Sequence, residues 1–240
     1  MDISLDNIRD IQLYQSKKGY RFSVDSLLLF DFVALNNVGT IADLGAGSGI
    51  IGMLLAKKYP RASVDLLEVQ ESLIGLAEKN IALNGLDGRV RAKRYDLRDI
   101  PSLNSFHGKY DLAVSNPPFR TSGSGRISIG EERAVARHEI KLMLHELIKA
   151  ASFCLREKGR VCMIYHPGRL PELIEELRDK NLEPKRLRFI HSNMSSESKI
   201  FLVEAVKGGS AGVKVEKPLY LYTEAGDYSD EMKSIYTSGM

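Results

Sequence analysis

Thr40-Ile41-Ala42-Asp43-Leu44-Gly45-Ala46-Gly47-Ser48-Gly49-Ile50 is the stretch on which the fold turns. Thr40–Leu44 reads as a short buried strand and Ile50–Lys58 as a helix, with Pro60 beyond its end. Three glycines make the turn between them, where a backbone without Cβ atoms can touch a ligand. Downstream, Ser63–Glu68 is a strand and Gln70–Asn84 a helix stopped by Gly85. Arg89–Tyr95 and Tyr110–Ser115 are the third and fourth strands. A glycine- and serine-rich loop, Thr121–Gly130, precedes a helix from about His138 to Leu155. Gly159–Tyr165 is a fifth strand and Pro171–Lys180 a helix, and Lys185–Ile190 and Lys199–Val206 form a terminal antiparallel pair. Strands alternating with helices of this length predict an α/β fold with a mostly parallel, seven-stranded sheet covered on both faces. Residues 37–210 form that domain; 1–36 and 211–240 read as additions packed on it.

Composition limits the function classes. Only two cysteines occur among 240 residues, Cys154 in a helical pattern and Cys162 in a strand, which argues against a disulfide framework or a zinc site. The five histidines show no metal-ligand spacing, so no metal is expected. The first residues are acidic and lack a signal peptide's apolar core, and Leu27–Leu35 is interrupted by Asp31 and too short to span a bilayer. A cytoplasmic protein without a membrane partner, working as a monomer, is expected. A net charge of +3 permits nucleic acid as a partner without demanding it.

The glycine turn separates two cofactor classes. A dinucleotide enzyme carries Gly-x-Gly-x-x-Gly and sets a pyrophosphate on the helix terminus. Here Gly45, Gly47 and Gly49 alternate with other residues, and Asp43 would repel a phosphate but can pair with a ligand ammonium group. Glu68 ends the second strand, where an acid can bind both ribose hydroxyls. Asp96, or Asp99 in its place, can accept from an adenine amino group. Three carboxylates at three strand ends suit a cationic adenosine ligand, S-adenosylmethionine. Solvated strand ends are the plainer account of Glu68 and Asp96.

Asn116-Pro117-Pro118-Phe119 closes the fourth strand and names the chemistry. The Asn116 side-chain oxygen and the Pro117 carbonyl can each accept one N–H of a planar NH₂ group. Accepting both draws the nitrogen toward a tetrahedral shape and localises its lone pair for methyl transfer. The prolines keep the carbonyl aimed, and Phe119 offers a face for a flat substrate. A proline-rich strand-to-loop turn is the plainer account.

Asp43–Gly49, Glu68, Asp96 and Asn116–Phe119 together resemble the Rossmann-type, class I S-adenosylmethionine-dependent methyltransferases that act on amino groups. Lys17–Leu29, Ala136–Ile140 and Val203–Gly209 are similar to segments of the bacterial valine-tRNA adenine-N6 methyltransferases. That resemblance implies N6-methylation of the adenosine beside the anticodon, position 37, with tRNA as partner. Glutamine-N5 methyltransferases of peptide release factors and guanine-N2 ribosomal RNA enzymes are the alternatives. The former carry a longer N-terminal helical domain and Tyr where this chain has Phe119.

Around the motifs, Tyr20–Asp25 can fold over the cofactor, with Phe22 or Asp25 at its methionine end; a cap on the following helix is the competing account. Lys17, Lys18 and Arg21, then Arg120, Arg126, Arg133 and Arg137, and finally Lys185, Arg186 and Arg188 are expected on one rim, suited to phosphates. Of these, Lys17, Lys18, Arg120 and Arg126 are the foremost RNA candidates. A solvated face is the alternative.

Overall fold

The computed structural model describes residues 3–16, 24–117 and 144–237. Lys17, Lys18, Arg21, Phe22, Pro118, Phe119, Arg120, Arg126, Arg133, Arg137 and the Ala136–Ile140 segment lie outside the described residues.

An antiparallel hairpin opens the chain, β1 (Ile3–Ile8) and β2 (Ile11–Ser16), turned at Arg9 with φ +53°. Then follow α1 (Val24–Phe32), β3 (Thr40–Leu44), α2 (Ile50–Lys58), β4 (Ser63–Glu68), α3 (Glu71–Leu83), β5 (Val90–Arg94) and β6 (Tyr110–Ser115). The second half runs α4 (Leu144–Cys154), β7 (Leu155–Tyr165), α5 (Leu170–Asp179), β8 (Leu182–His191) and β9 (Ser198–Lys207). Last come β10 (Lys214–Val215), β11 (Leu219–Tyr220) and α6 (Asp230–Thr237).

The seven expected strands are β3 to β9, in one sheet ordered β8-β9-β7-β6-β3-β4-β5. All run parallel except β9, which lies antiparallel between β7 and β8. Two-residue strands β10 and β11 pair along the β8 edge, giving this sheet nine strands among the described residues. Strands buried on both faces explain why β3 holds apolar side chains on each, Ile41 toward one core and Ala42 and Leu44 toward the other, apart from Thr40 and Asp43. One face carries β1–β2, α1, α2, α3 and α6, with Leu13, Leu27, Met53, Leu54, Val64 and Leu66 in its core. The other carries α4 and α5 over Leu44, Leu67, Tyr110, Met163 and Phe201. Among the described residues, no helix is long and apolar enough to cross a membrane.

This topology fixes where a ligand can enter. From β3 the chain winds outward through β4 to β5, then crosses back to β6 on the other side of β3. The carboxyl ends of β3 and β6 therefore border a topological switch point, the crevice where open α/β sheets bind ligands. The first helix of the domain is held tightly there. A Cβ on Gly52 would stand 2.2 Å from Leu66 Cδ2 and 3.1 Å from Val64 Cγ1, so α2 lies closer to β4 than alanine allows.

Gly52→Ala should overpack this contact and cost about 1–3 kcal/mol, a fall of several degrees in Tm at this size. Adding Leu66→Ala should cost less than the two separate losses combined, because the cavity admits the new methyl group. Thermal denaturation of the two single variants and the double variant checks this; strict additivity would place the strain elsewhere.

Candidate active site

At the switch point, four strand ends stand in a row. The pairings Asp43 with Val114, Leu44 with Leu67 and Glu68 with Arg94 bring the ends of β6, β3, β4 and β5 level. Three neighbouring gaps of about 4.8 Å make the row roughly 15 Å long. Ser115 Oγ donates to Leu44 O at 2.7 Å in a buried hydrogen bond, so the residues that follow, Gly45 and Asn116, leave the sheet side by side. Asn116 and Pro117 are half-buried there.

The glycine turn takes a conformation that side chains resist. Gly45, Gly47 and Gly49 have φ of +74°, +57° and +88°. Gly45 N and Ala46 N both donate to Leu67 O, at 2.9 and 3.0 Å, anchoring the turn to β4. A Cβ on Gly45 would meet nothing within 4 Å, so open space borders the backbone there. At Gly49 it would meet Leu66 Cδ1 at 2.6 Å; that glycine serves packing as well as conformation.

Two buried carboxylates brace the turn. Glu68 Oε2 accepts from Gly47 N at 2.9 Å, and Oε1 accepts from Val69 N and Gln70 N at 2.9 and 3.0 Å. Three of about four acceptor positions on that carboxylate are thus filled. It keeps room for one further ordinary hydrogen bond, on Oε2, where the sequence suggested that it would take two hydroxyls. Asp43 lies beneath the turn, 1% exposed, and accepts from Gly52 N at 2.9 Å. Burial pushes its carboxyl up to about 7, opposed by the Gly52 hydrogen bond and reinforced by the charge of Glu68.

Asp96 follows β5 at the far end of the row. Its carboxylate is clamped by Arg98, whose Nε lies 2.9 Å from both oxygens and whose backbone N–H donates to Oδ1 at 2.9 Å. That grip holds the carboxyl below the usual range. The sequence offered no signal for the clamp beyond an arginine two residues on. Asp25 belongs to the first turn of α1. Lys58 at the end of α2 bonds to the Phe30 and Val33 carbonyls, so the C-terminal ends of α1 and α2 meet.

Part of the expected basic rim is committed elsewhere. Arg186 pairs with Glu204 at 3.0 Å and with Glu216 at 3.3 Å, and covers the Phe32 ring. Arg188 pairs with Glu231 at 2.6 Å, and Lys185 donates to the Ser210 and Gly212 carbonyls. These three tie β8 to the C-terminal segment, a role that a charge count along the chain cannot reveal. Among the described residues, no group of three or more His, Cys, Asp and Glu side chains could hold a metal ion.

Comparison with known proteins bears on the family and the fold. The family model described as methyltransferase small domain matches residues 20–180. The chain is 30% identical over 210 residues to a tRNA1(Val) (adenine(37)-N6)-methyltransferase of Porphyromonas gingivalis, covering 85% of this chain and 81% of that one. A protein of the same name from Pedobacter heparinus is 26% identical over 227 residues, covering 94% and 93%. Among solved structures, a predicted O-methyltransferase from Agrobacterium tumefaciens superposes with a TM-score of 0.72 at 20% identity, over 88% of this chain and 95% of that one. At that identity the likeness bears on the fold alone.

The buried acid under the turn has a measurable signature. Because its native pKa is raised, folded Asp43 retains a proton that the unfolded chain releases between about pH 4 and 7. Stability should therefore fall as pH rises through that window. Asp43→Asn cannot ionise and should flatten this part of the curve. Denaturation midpoints between pH 4 and 8 test it; an equal slope in both proteins would assign the dependence to other groups.

Proposed function

The chain belongs to the methyltransferase small domain family, and we propose that it transfers a methyl group from S-adenosylmethionine to N6 of adenosine 37 in a tRNA. The observation that carries this reading is the Ser115–Leu44 hydrogen bond, which seats Asn116 and Pro117 beside the glycine turn. An amino-group clamp and a cofactor cradle thus share one crevice. The relatives named as adenine-N6 tRNA methyltransferases, matched over most of both chains, support the acceptor.

The residues present suit the cofactor. Open space at Gly45 admits the ligand against the backbone. Glu68 keeps an acceptor position for a ribose hydroxyl, and Asp96 is assigned to the adenine amino group, sharing its charge with Arg98. Asp43, ionised on binding, opposes the ligand's positive charge from beneath the turn, and Phe22 and Asp25 are assigned to its methionine end. S-adenosylmethionine supplies an electrophilic methyl group on a sulfonium sulfur.

The protein's own work is to prepare the nitrogen. The Asn116 side-chain oxygen accepts one amino N–H and the Pro117 carbonyl accepts the other, withdrawing the lone pair from the ring as the new bond forms. Positive charge appears on nitrogen only as the methyl arrives, so these acceptors stabilise the transition state more than the ground state. The proton then leaves to solvent, and no catalytic base is required. Phe119 stacks on the extruded base, while Arg120, Arg126, Lys17 and Lys18 meet backbone phosphates. The reading includes a monomer acting in the cytoplasm.

Asn116→Ala should slow single-turnover methylation of a tRNA transcript by about a hundredfold or more while cofactor affinity stays within about twofold. A near-normal chemical rate would reduce the motif to a structural turn. Glu68→Gln should weaken S-adenosylmethionine binding by roughly tenfold, since it loses charged hydrogen bonds to the turn and to the ligand. Calorimetric titration reads this directly; unchanged affinity would remove Glu68 from the cofactor site.

A further inference from the structure

Asn80 in α3 and Asn84, the residue that caps its C-terminal end, stand one helical turn apart and do for β2 what a neighbouring strand would do. Asn84 Oδ1 accepts from Gln12 N at 2.8 Å and its Nδ2 donates to Gln12 O at 2.7 Å. Asn80 Oδ1 accepts from Tyr14 N at 2.7 Å and its Nδ2 donates to Tyr14 O at 3.1 Å. Gln12 and Tyr14 are alternate residues, so both present backbone groups to the edge of β2 away from β1. Their spacing of about 7 Å is matched by side chains four positions apart on a helix. The two carboxamides differ in their remaining donor bond. Asn84 spends it inside its own helix, on Asn80 O at 2.7 Å. Asn80, fully buried, spends it on Ser48 O at 3.1 Å, in the middle of the glycine turn.

We propose that Asn80 is a positioning residue that joins the N-terminal hairpin to the cofactor-binding turn. One rigid amide group fixes Tyr14 and Ser48 relative to each other, so ordering the turn around a ligand also orders β2. A buried carboxamide with both N–H donors and its oxygen engaged holds such a geometry firmly, because losing any bond leaves a desolvated partner unmet. The inference rests on the reading of the Gly45–Gly49 turn as the cofactor site.

Asn84 supplies the control, since it makes the same pair of bonds to the hairpin but none to the turn. Asn80→Asp keeps size and the acceptor from Tyr14 N but sets a carboxylate against two carbonyl oxygens; Asn84→Asp does the same at Gln12. Asn80→Asp is expected to weaken S-adenosylhomocysteine binding at least tenfold by calorimetry, with Asn84→Asp within twofold of wild type. Equal effects of the two substitutions would reduce Asn80 to a hairpin anchor. Amide hydrogen exchange on the wild-type protein gives a second reading that needs no variant. Adding S-adenosylhomocysteine should slow exchange at Tyr14 together with Gly47–Gly49. Slowing confined to the turn would overturn the coupling alone. Slowing at neither would overturn the cofactor assignment, and the coupling with it.

Discussion

The Glu68 carboxylate, buried at the end of β4 and accepting three backbone N–H groups, is the contact on which the site depends. It pins Gly47 to the sheet and caps the start of the next connection with the same two oxygens. The three glycines of the turn, all at positive φ, bring no side chains of their own to hold it. Its shape must come from outside, and Glu68 with the Leu67 carbonyl supplies it. Beneath, Asp43 places a second acid under the same turn, raised by burial and by its neighbour's charge. Two acids that close together favour a cation nearby, which suits a positively charged ligand better than a phosphate.

From that anchor the rest follows by strand order. β3 lies between β4, which brings Glu68, and β6, which brings Asn116, so the groups proposed for the cofactor and for the amino group fall on opposite sides of one strand. Ser115 completes the arrangement with a single buried hydroxyl across to Leu44. The hairpin of β1 and β2, far away in sequence from β6, is tied to the turn through Asn80. Packing that leaves no room for a Cβ at Gly52 keeps α2, and with it the Gly52 N–H, against Asp43.

Much of this was legible in the chain. The strand–turn–helix at Thr40–Lys58, the alternation that follows it and the terminal pair of β8 and β9 are where periodicity put them. The acids sit at strand ends because a strand end is the one place in a doubly covered sheet where a carboxylate meets both backbone donors and open space. The hairpin at residues 3–16 is not legible in the sequence, since Asp6, Asn7, Asp10 and Gln12 dilute its apolar alternation and its partner is a pair of asparagine side chains rather than a sheet. The roles of Arg98, Arg186 and Arg188 were also hidden. Charge along a sequence does not say which partner folding will bring, and these three meet Asp96, Glu204 and Glu231. Asn80 and Asn84 read as ordinary helix residues, and the signal of their role in the sequence is two asparagines four apart just before a stop at Gly85.

The most direct test of the account is mass spectrometry of nucleosides from unmodified tRNA incubated with the protein and S-adenosylmethionine carrying an isotopically labelled methyl group. The account predicts labelled N6-methyladenosine, mapped to the adenosine beside the anticodon. Label found instead in guanine N2 of ribosomal RNA, or in a glutamine side chain of a release-factor peptide with none in tRNA, would contradict it.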